Sequence, residues 1–452
     1  MNRVLSPVLT FLLAAGCASE APKQPAAPST DITFFSGARV IPGDGTASIE
    51  QAEIIVENGK IKQIGKQGEL QLPEGAARVD LQGKTIMPMM VSLHSHVGYF
   101  DGQTYAPENY NAQSVQADLN RFEHYGIGAI LSLGVDKDDS AFKIRDLQHS
   151  GPAKGARLFT AGRGIAIKAG LPMATVPQFK DAPHQVTSED EARKAVTELA
   201  AQKVDAIKIW VDDNLGKAPK LKPAMYRAVI DEAHNANIRV FAHVFALADA
   251  KDLVKSGLDG VAHSIRDREV DDEFINLMKE RNIVYIPTLM AYGAPFIYAS
   301  KPDWQAEQAM FETYPPQLIS DLGSEKFVKA FKNDPNLPVL RQQYEVALKN
   351  LKKLSDAGVR IGFGTDSGAA NRFPGYFEHH ELELMVTAGL MPHQAITAAT
   401  KTSAEVLALT DLGTLSPGKS ADFIVLSANP LDDIRNSRRI DTIYRNGKAL
   451  DR

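Results

Sequence analysis

Four histidines follow short apolar runs of the sequence, at positions where β-strands would end. His94 and His96 come after "TIMPMMVSL" and are two residues apart, so on a strand both imidazoles would point to the same side. His243 follows "RVFA" and His263 follows "GVA". Neutral imidazoles are common ligands of divalent metal ions. If these runs are neighbouring parallel strands, the four side chains converge and predict a metal site.

Two charged residues lie in or directly after apolar runs. Lys208 lies inside "AIKIWV", where an unpaired ammonium would be costly or would lose its charge. It either pairs with a carboxylate or reacts with carbon dioxide to give a carbamate, which has two oxygens and can bridge two metals. Asp366 ends "RIGFGTD", where a carboxylate can bind metal and accept a proton from water. Taken alone, Asp366 would be interpreted as a helix N-cap.

The elements that must position these residues are apolar runs that alternate with amphipathic helical segments. The clearest helix, 187–204, begins with a capping box of Ser188 and Glu191. Eight such strand and helix units predict an α/β fold, a (β/α)8 TIM-like barrel whose active site lies at the carboxyl ends of the strands. A doubly wound sheet is the alternative. The eight runs are 86–93, 129–133, 157–161, 206–211, 239–244, 260–263, 283–290 and 360–365.

The two ends of the chain have a different pattern of short alternating strands with turns. Asn58-Gly59 near one end and Asn446-Gly447 near the other are hairpin signals. We therefore expect residues 32–84 and 410–452 to form one composite β-sheet domain around a barrel that spans 85–409.

One connection within the barrel, 291–336, is much longer than the others and is rich in aromatic residues. A long connection of this kind is either a lid or wall over a site, or an additional helical hairpin packed on the barrel.

The N-terminus, MNRVLSPVLTFLLAAGC, has a positive charge, a short apolar stretch and small residues, as secretory signals do. The stretch is shorter than the about 20 apolar residues that a spanning helix needs. "LAAGC" resembles a bacterial lipobox, which implies cleavage before Cys17 and lipid on its sulfur; a plain signal peptide is the alternative. Residues 18–31 would be a flexible tether. The signal sequence predicts export, and by the same resemblance Ala18 after the cysteine implies anchoring in the outer membrane, facing the periplasm.

The composition excludes several classes of protein. The 452 residues are 44% hydrophobic and 23% charged, which is unlike a disordered or fibrous chain. A net charge of -5 gives no sign of a nucleic-acid partner. With one cysteine, Cys17, no disulfide can form within the chain.

Together these residues resemble the amidohydrolase superfamily, in the branch with a dinuclear site. The resemblance rests on His94 and His96 at the first strand, Lys208 at the fourth, histidines at the fifth and sixth, and Asp366 at the eighth. The segments "GLDGVAH" and "GTLSPGKSADFIVLSANPLDDI" are also similar to that superfamily. Within it, the chain is most similar to imidazolonepropionase-like and Xaa-Pro dipeptidase-like hydrolases.

The resemblance implies two divalent metal ions. The nitrogen-rich ligands favour Zn²⁺, and manganese, cobalt or iron would also fit a carbamate-bridged site. His94, His96 and Asp366 would hold the more buried ion, and His243 and His263 the second. The carboxylated lysine and a hydroxide would bridge them. Asp366 would take the proton of the hydroxide and deliver it to the leaving nitrogen. The implied reaction is hydrolysis of an amide bond in a dipeptide, an N-acyl amino acid or a related small molecule.

Two other functions stay open at this point. The same metals could hydrolyse a lactone, carbamate or phosphotriester, since the nucleophile does not dictate its electrophile. A lipid-anchored binding protein could also use this fold. Phe245 stands where some dipeptidase-like relatives carry a substrate-contacting tyrosine, so their substrate preference does not transfer directly. We expect a small-molecule or peptide substrate, no nucleic acid, and membrane contact through the lipid alone; homo-oligomers are possible.

Four further residues are weaker candidates for substrate binding. Arg163, Arg266 and Arg372 follow the third, sixth and eighth strands, and each could bind a substrate carboxylate with two hydrogen bonds. His379 adjoins the eighth loop; it either contacts substrate or lies on a helix surface.

Overall fold

The computed structural model describes residues 31–151, 154–300, 311–369 and 371–451. The predicted signal peptide, Cys17 and nearly all of the tether lie outside these residues. The strands are β1 (Ile32–Val40), β2 (Ile49–Glu57), β3 (Lys60–Lys66), β4 (Ala77–Asp80), β5 (Thr85–Pro88), β6 (Met90–Ser95), β7 (Ile127–Ser132), β8 (Arg157–Thr160), β9 (Ile165–Ile167), β10 (His184–Val186), β11 (Ile207–Val211), β12 (Val240–Val244), β13 (Gly260–Ala262), β14 (Val284–Ile286), β15 (Phe423–Leu426), β16 (Ile440–Arg445) and β17 (Lys448–Ala449).

The helices alternate with these strands over the middle of the chain. They are α1 (Ala112–His124), α2 (Ser140–Ser150), α3 (Glu189–Ala201), α4 (Pro223–Asn235), α5 (Leu247–Lys255), α6 (Asp272–Glu280), α7 (Leu289–Ala299), α8 (Pro316–Leu322), α9 (Glu325–Lys332), α10 (Leu337–Asp356), α11 (Tyr376–Thr387), α12 (Pro392–Thr397) and α13 (Ser403–Val406). Among the described residues, none of them has the length and apolar character to span a membrane.

Seven parallel strands and one extended segment close into a ring. β6, β7 and β8 pair in that order, as do β11, β12, β13 and β14. The N–H of Asp205 donates to Thr160 O across 2.8 Å and joins β8 to β11. The segment 360–367 lies between β14 and β6: Gly362 N–H donates to Tyr285 O, and Leu93 N–H donates to Phe363 O. The predicted eight-membered barrel is confirmed, and an open doubly wound sheet is excluded.

The strands differ in detail from the apolar runs that predicted them. The run 86–93 is two strands, because β5 ends at Pro88, which has no N–H to continue a ladder, and β6 starts at Met90. The run 283–290 is a strand for only three residues, since α7 already begins at Leu289. The eighth member has single bridges at Ile361 and Ser367 rather than a continuous ladder.

The composite sheet contains strands from both ends of the chain. Its order is β17-β16-β15-β5-β1-β2-β3, with β4 also paired to β1. β5 pairs parallel with β1 and antiparallel with β15, so it belongs to this sheet although it falls just inside the range 85–409 expected for the barrel. The rings of Phe35, Phe423 and Tyr444 pack with centroids 4.9 to 5.3 Å apart and join the two ends in one core.

Local capping explains where several barrel helices begin. Ser188 Oγ accepts from the N–H of Glu191 at the start of α3, as the sequence predicted, and the Glu191 carboxylate reaches back to Thr187 N–H. Asp271 likewise accepts from Phe274 N–H at the start of α6. Each cap supplies an acceptor for backbone donors that have no partner within the helix.

The long connection is helical in its described part, 291–300 and 311–336. Tyr298 packs edge-on against Phe327, with ring centroids 5.2 Å apart, and also contacts Phe331. The start of α7 is fixed by a buried residue from α11: Glu381 accepts from the N–H groups of Leu289 and Met290 across 2.8 and 2.7 Å. Burial raises the pKa of this carboxyl to about 8.

We expect Gly126→Ala to destabilise the contact between barrel and composite sheet. Gly126 has φ +80°, and a Cβ there would lie 2.4 Å from the Cδ1 of buried Ile424. Gly358 has φ +77° with open space around it, so Gly358→Ala is a matched control for backbone strain alone. In urea unfolding, Gly126→Ala should lose about 1–3 kcal/mol more than the control. Equal losses would contradict the close approach of the two domains.

The raised pKa of Glu381 predicts that the free energy of unfolding depends on pH. The pKa of this carboxyl is about 8 in the fold and 4.5 as an unperturbed group, so between these values the unfolded chain releases a proton that the folded chain keeps. The contribution of Glu381 to stability is therefore fully present below about pH 4.5 and falls as the pH rises to 8. Glu381→Gln cannot ionise. The free energy of unfolding of the wild type minus that of the variant should decrease from pH 5 to pH 8. A constant difference would mean that this group does not titrate in that range.

Candidate active site at the barrel rim

Three of the predicted ligands meet at the carboxyl ends of the barrel strands. His96 Nε2 lies 2.8 Å from Asp366 Oδ1, and His94 Nε2 lies 3.2 Å from the same oxygen. His94 lies in β6, which ends at Ser95, and His96 directly follows the strand. The two histidines and Asp366 are at most 9% exposed. Among the described residues, they form a group whose donor atoms lie within 4.8 Å of one another and could hold a metal ion.

The backbone of Asp366 has an uncommon conformation that aims its carboxylate inward. Its φ is +62°, in the left-handed region, and its N–H donates to His94 O across 2.9 Å. Its Oδ2 accepts from Arg372. Burial alone would raise the pKa of Asp366, but the Arg372 charge and the hydrogen bonds to His94 and His96 hold that pKa well below its ordinary value.

Lys208 lies beside this group, in the middle of β11. Its side chain is fully buried, with Nζ 3.4 Å from His94 Nε2. Burial lowers the pKa of Lys208 to about 7, against the opposing charge of Asp366. Gly134 leaves room for it, because a Cβ at that position would lie 2.6 Å from Lys208 Cβ. A fraction of the amine is therefore neutral near pH 7.

His243 and His263 continue the rim. The ring centroid of His263 lies 4.6 Å from that of His94 and 4.3 Å from that of His243. His263 has φ +74°, and its Nδ1 lies 2.8 Å from Thr288 Oγ1, which orients the imidazole. Burial lowers the pKa of both His243 and His263, so both rings are neutral and carry a lone pair for a ligand.

Asp212 is the acidic partner of His243. It follows β11, and its Oδ2 lies 2.9 Å from His243 Nε2. Burial opposes ionisation of Asp212, but the hydrogen bonds from His243 and from Asn214 N–H, together with the charge of Arg266, lower its pKa to about 2. The carboxylate is thus ionised at neutral pH, next to the imidazole that the sequence predicts as a metal ligand.

Glu378, at the start of α11, supports the eighth segment from behind. Its carboxylate accepts from Thr365 Oγ1 across 2.6 Å, from Ser367 Oγ across 2.8 Å and from Gly375 N–H across 2.7 Å. Thr365 and Ser367 flank Asp366. Two of these three hydrogen bonds hold the neighbours of Asp366 in place, and the third ties the same carboxylate to Gly375 just before α11.

A cavity of about 320 Å³ opens above these residues. Val176 and Phe179 of the segment after β9 contribute apolar lining, and Tyr292 of α7 also lines the cavity. The long connection thus contributes a wall as well as packed helices. The metal-ligand candidates that line the cavity are His94, His96, Lys208, His243, His263 and Asp366.

Two of the four weaker candidates line the cavity and two do not. Arg266 and Arg372 are part of the lining. Arg163 instead donates through Nε to Ala182 O across 2.7 Å, because the loop before β10 folds back over it. His379 is buried on α11, with Nε2 2.9 Å from Tyr125 O and Nδ1 3.0 Å from Ser437 Oγ. Both side chains serve packing between loops and helices, away from the cavity.

The donor set fits a metal ion. Two imidazoles and a carboxylate are a common ligand combination for Zn²⁺ and similar ions. The Nε2 atoms of His94 and His96 both face Asp366 Oδ1, which is how ligands surround a shared ion. The Nδ1 atoms of both rings are buried without a hydrogen-bond partner, so local hydrogen bonds do not account for their burial. His243, His263 and Lys208 border this group and extend it along the rim.

The sequence did not predict the residues that form hydrogen bonds with the candidate ligands or with their neighbours. Asp212 could have been found, since it directly follows a predicted strand in "IWVDD". Thr288 and Glu378 carry no such signal, because they act through contacts between segments far apart in the sequence.

Comparison with known proteins shows which family and which solved structures the chain is similar to. A sequence model of the amidohydrolase family matches residues 85–450. Ochratoxinase from Aspergillus niger is 25% identical over an alignment that covers 93% of this chain and 88% of the relative. A Xaa-Pro dipeptidase structure with bound methionine in its active site superposes with a TM-score of 0.72 at 24% identity, covering 93% of this chain and 99% of the other. A. niger ochratoxinase itself superposes with a TM-score of 0.70 at 22% identity, covering 93% and 96%.

These structural likenesses establish the fold, a TIM barrel with an additional β-sheet domain. The match to the family model covers the barrel with all six predicted metal ligands, and the returning strands β15 to β17 in full. This chain belongs to the amidohydrolase family.

Proposed function

We propose that the protein hydrolyses an amide bond in a dipeptide, an N-acyl amino acid or a related small molecule. The observation that carries the proposal is the convergence of His94, His96 and Asp366 beside a buried lysine at the floor of a cavity. The names of the two relatives reported above, a dipeptidase and ochratoxinase, agree with hydrolytic chemistry at such a site.

The residues that would hold metal divide into two neighbouring groups. His94, His96 and Asp366 would hold one ion, and His243 and His263 a second, with zinc as the proposed metal. Metal ions bound there would supply a water of lowered pKa at neutral pH and polarise the scissile carbonyl. The lowered pKa values of His243 and His263 favour their neutral rings, and the low pKa of Asp366 favours its carboxylate. Both support this assignment, because a metal ligand must be deprotonated.

Asp366 is the group proposed to move the proton. Its Oδ1 faces the two histidines and its Oδ2 contacts Arg372 at the cavity. Because its pKa is held low, the carboxylate is ionised at neutral pH and can accept a proton from the attacking water. It would then release that proton to the leaving nitrogen, which needs it to depart as an amine. Arg372 orients the carboxylate for both transfers.

Lys208 is proposed to be carboxylated. A neutral amine attacks the carbon of carbon dioxide and loses one proton, which leaves a carbamate anion. The lowered pKa of Lys208, about 7, supplies the neutral amine, and its Nζ lies 3.4 Å from His94 Nε2, beside both ligand groups. The carbamate would place two anionic oxygens beside both ligand groups, where they would serve as further metal ligands.

Metal analysis combined with an activity panel tests the proposal. We expect about two equivalents of metal per chain in the wild type, and turnover of at least one dipeptide or N-acyl amino acid. Lys208→Ala should lose most of the metal and the turnover, because the bridging ligand is gone. Lys194→Ala, an exposed lysine on α3, is the matched control and should change neither.

Each other result has a definite meaning. One equivalent that Lys208→Ala leaves unchanged would contradict the dinuclear site. Turnover of lactones, carbamates or phosphotriesters but of no amide would replace the proposed reaction by the alternative one. Ligand binding without any turnover, unaltered by Asp366→Ala, would identify a binding protein.

We further propose that the chain is exported and held by lipid on Cys17 at the periplasmic face of the outer membrane. The lipobox-like sequence before Cys17 supports this. In a bacterial host, the wild type should fractionate with membranes, and Cys17→Ser should lose the lipid mass and lipoprotein maturation. Recovery of the wild type in the soluble periplasm, with an unmodified mature N-terminus, would contradict lipid anchoring.

A further inference from the structure

A second cavity, of about 340 Å³, adjoins the first on the side of β12 and β13. Each cavity is near the lower end of the range of ligand pockets, about 300–1,000 Å³. The two share part of their lining, so they are neighbouring compartments of one depression. The shared residues are Asp212, Asn214, Arg266, Tyr292 and Leu340.

Arg266 is a rigidly held charged residue in the lining of both compartments. Its guanidinium contacts two aromatic rings. The Cζ atom lies 4.0 Å from the ring centroid of Tyr292 and 4.7 Å from that of Phe245. Nη1 donates to Ser264 O across 3.0 Å, and Nη2 lies 3.8 Å from Asp212 Oδ2. The side chain is only 8% exposed. A guanidinium held in this way keeps a fixed position, with planar donors at the boundary of both cavities.

The mouth of the second cavity displays apolar side chains to water. Leu215 is 57% exposed and Val339 is 48% exposed. Leu215 has φ +58°, an unfavourable backbone conformation for a leucine, and Asn214 before it has φ +50°. Asp212 holds this turn, because its Oδ1 accepts from Asn214 N–H across 2.8 Å. A strained turn that presents a leucine to solvent at a cavity mouth indicates a surface that is covered when a ligand binds.

The rest of the second cavity suits a chain that contains amides. Asn214 and Gln343 contribute side-chain amides, which can pair with both the N–H and the C=O of a peptide group. Lys217 and Asp334 bring opposite charges, so the cavity does not select a strongly charged ligand. Apolar mouth and amide lining together match a peptide or N-acyl peptide with an apolar side chain at its distal end.

We propose that the second cavity is a subsite for the part of the substrate that lies beyond the scissile amide. The substrate class is then a peptide-like chain with at least one further amide and an apolar distal group. It crosses Arg266, whose guanidinium donates to a carbonyl of the chain, and its apolar group covers Leu215 and Val339. The inference rests on the proposed amide hydrolysis for the position of the scissile bond.

The test compares the dipeptide alanyl-phenylalanine with two tetrapeptides that extend it by alanyl-leucine at either end. Binding to metal-stripped protein is measured by titration calorimetry, and cleavage is measured with metal-loaded protein. One tetrapeptide should bind at least tenfold more tightly than the dipeptide. A Leu215→Asn and Val339→Gln double variant should reduce that ratio to threefold or less. Leu147→Gln, which replaces an exposed leucine on α2, is the control and should keep the ratio.

The outcomes separate this inference from the proposed function. Equal affinities for the three peptides, or a tetrapeptide preference that the double variant retains, would overturn the subsite. Cleavage of the dipeptide in the same experiment would leave amide hydrolysis standing. A preference that the double variant abolishes, without cleavage of any of the three peptides, would support the subsite and contradict peptide hydrolysis as the reaction at the neighbouring site.

Discussion

The contact between Asp366 and the two histidines of β6 is the constraint on which the rim of this barrel depends. One carboxylate oxygen lies within 3.2 Å of both imidazoles, and the other contacts Arg372 at the cavity. For this to happen, the eighth segment must lie directly beside β6 and Asp366 must adopt a positive φ. Glu378 fixes that segment through Thr365 and Ser367. Closure of the barrel and assembly of the site are therefore the same event.

Burial affects the protonation of the nitrogen groups and of the carboxylates of the site differently. The nitrogen groups, Lys208 and the imidazoles of His94 and His263, have lowered pKa values because their charged forms are desolvated. The carboxylates Asp212 and Asp366 remain ionised because neighbouring charges and hydrogen bonds outweigh the same desolvation. The site thus combines neutral nitrogen donors with anionic oxygens. This combination attracts a divalent cation, since the cation restores the charge balance of the interior.

Much of this arrangement was predictable from sequence, and the reasons are local. The spacing of His94 and His96 follows from the alternation of side chains along a strand, and the strand-end positions of His243 and His263 follow from parallel barrel geometry. What could not be predicted depends on contacts across the chain. Arg163 lies after a strand as expected, but its direction is set by the carbonyls of a loop about twenty residues later. The sequence equally gives no hint that Arg266 contacts two aromatic rings, because Phe245 follows β12 and Tyr292 lies on α7.

The position of β5 in the composite sheet has a consequence for the order of folding. β5 receives β1 on one side and β15 on the other, yet β15 is synthesised only after the whole barrel. Until then, the edge of β5 that will meet β15 has unpaired backbone groups, which are prone to pair with other chains. Contacts between such distant segments form slowly, because a long loop must close first. The growing chain therefore has to protect an open sheet edge for most of its synthesis, and completion of the last strands removes that hazard.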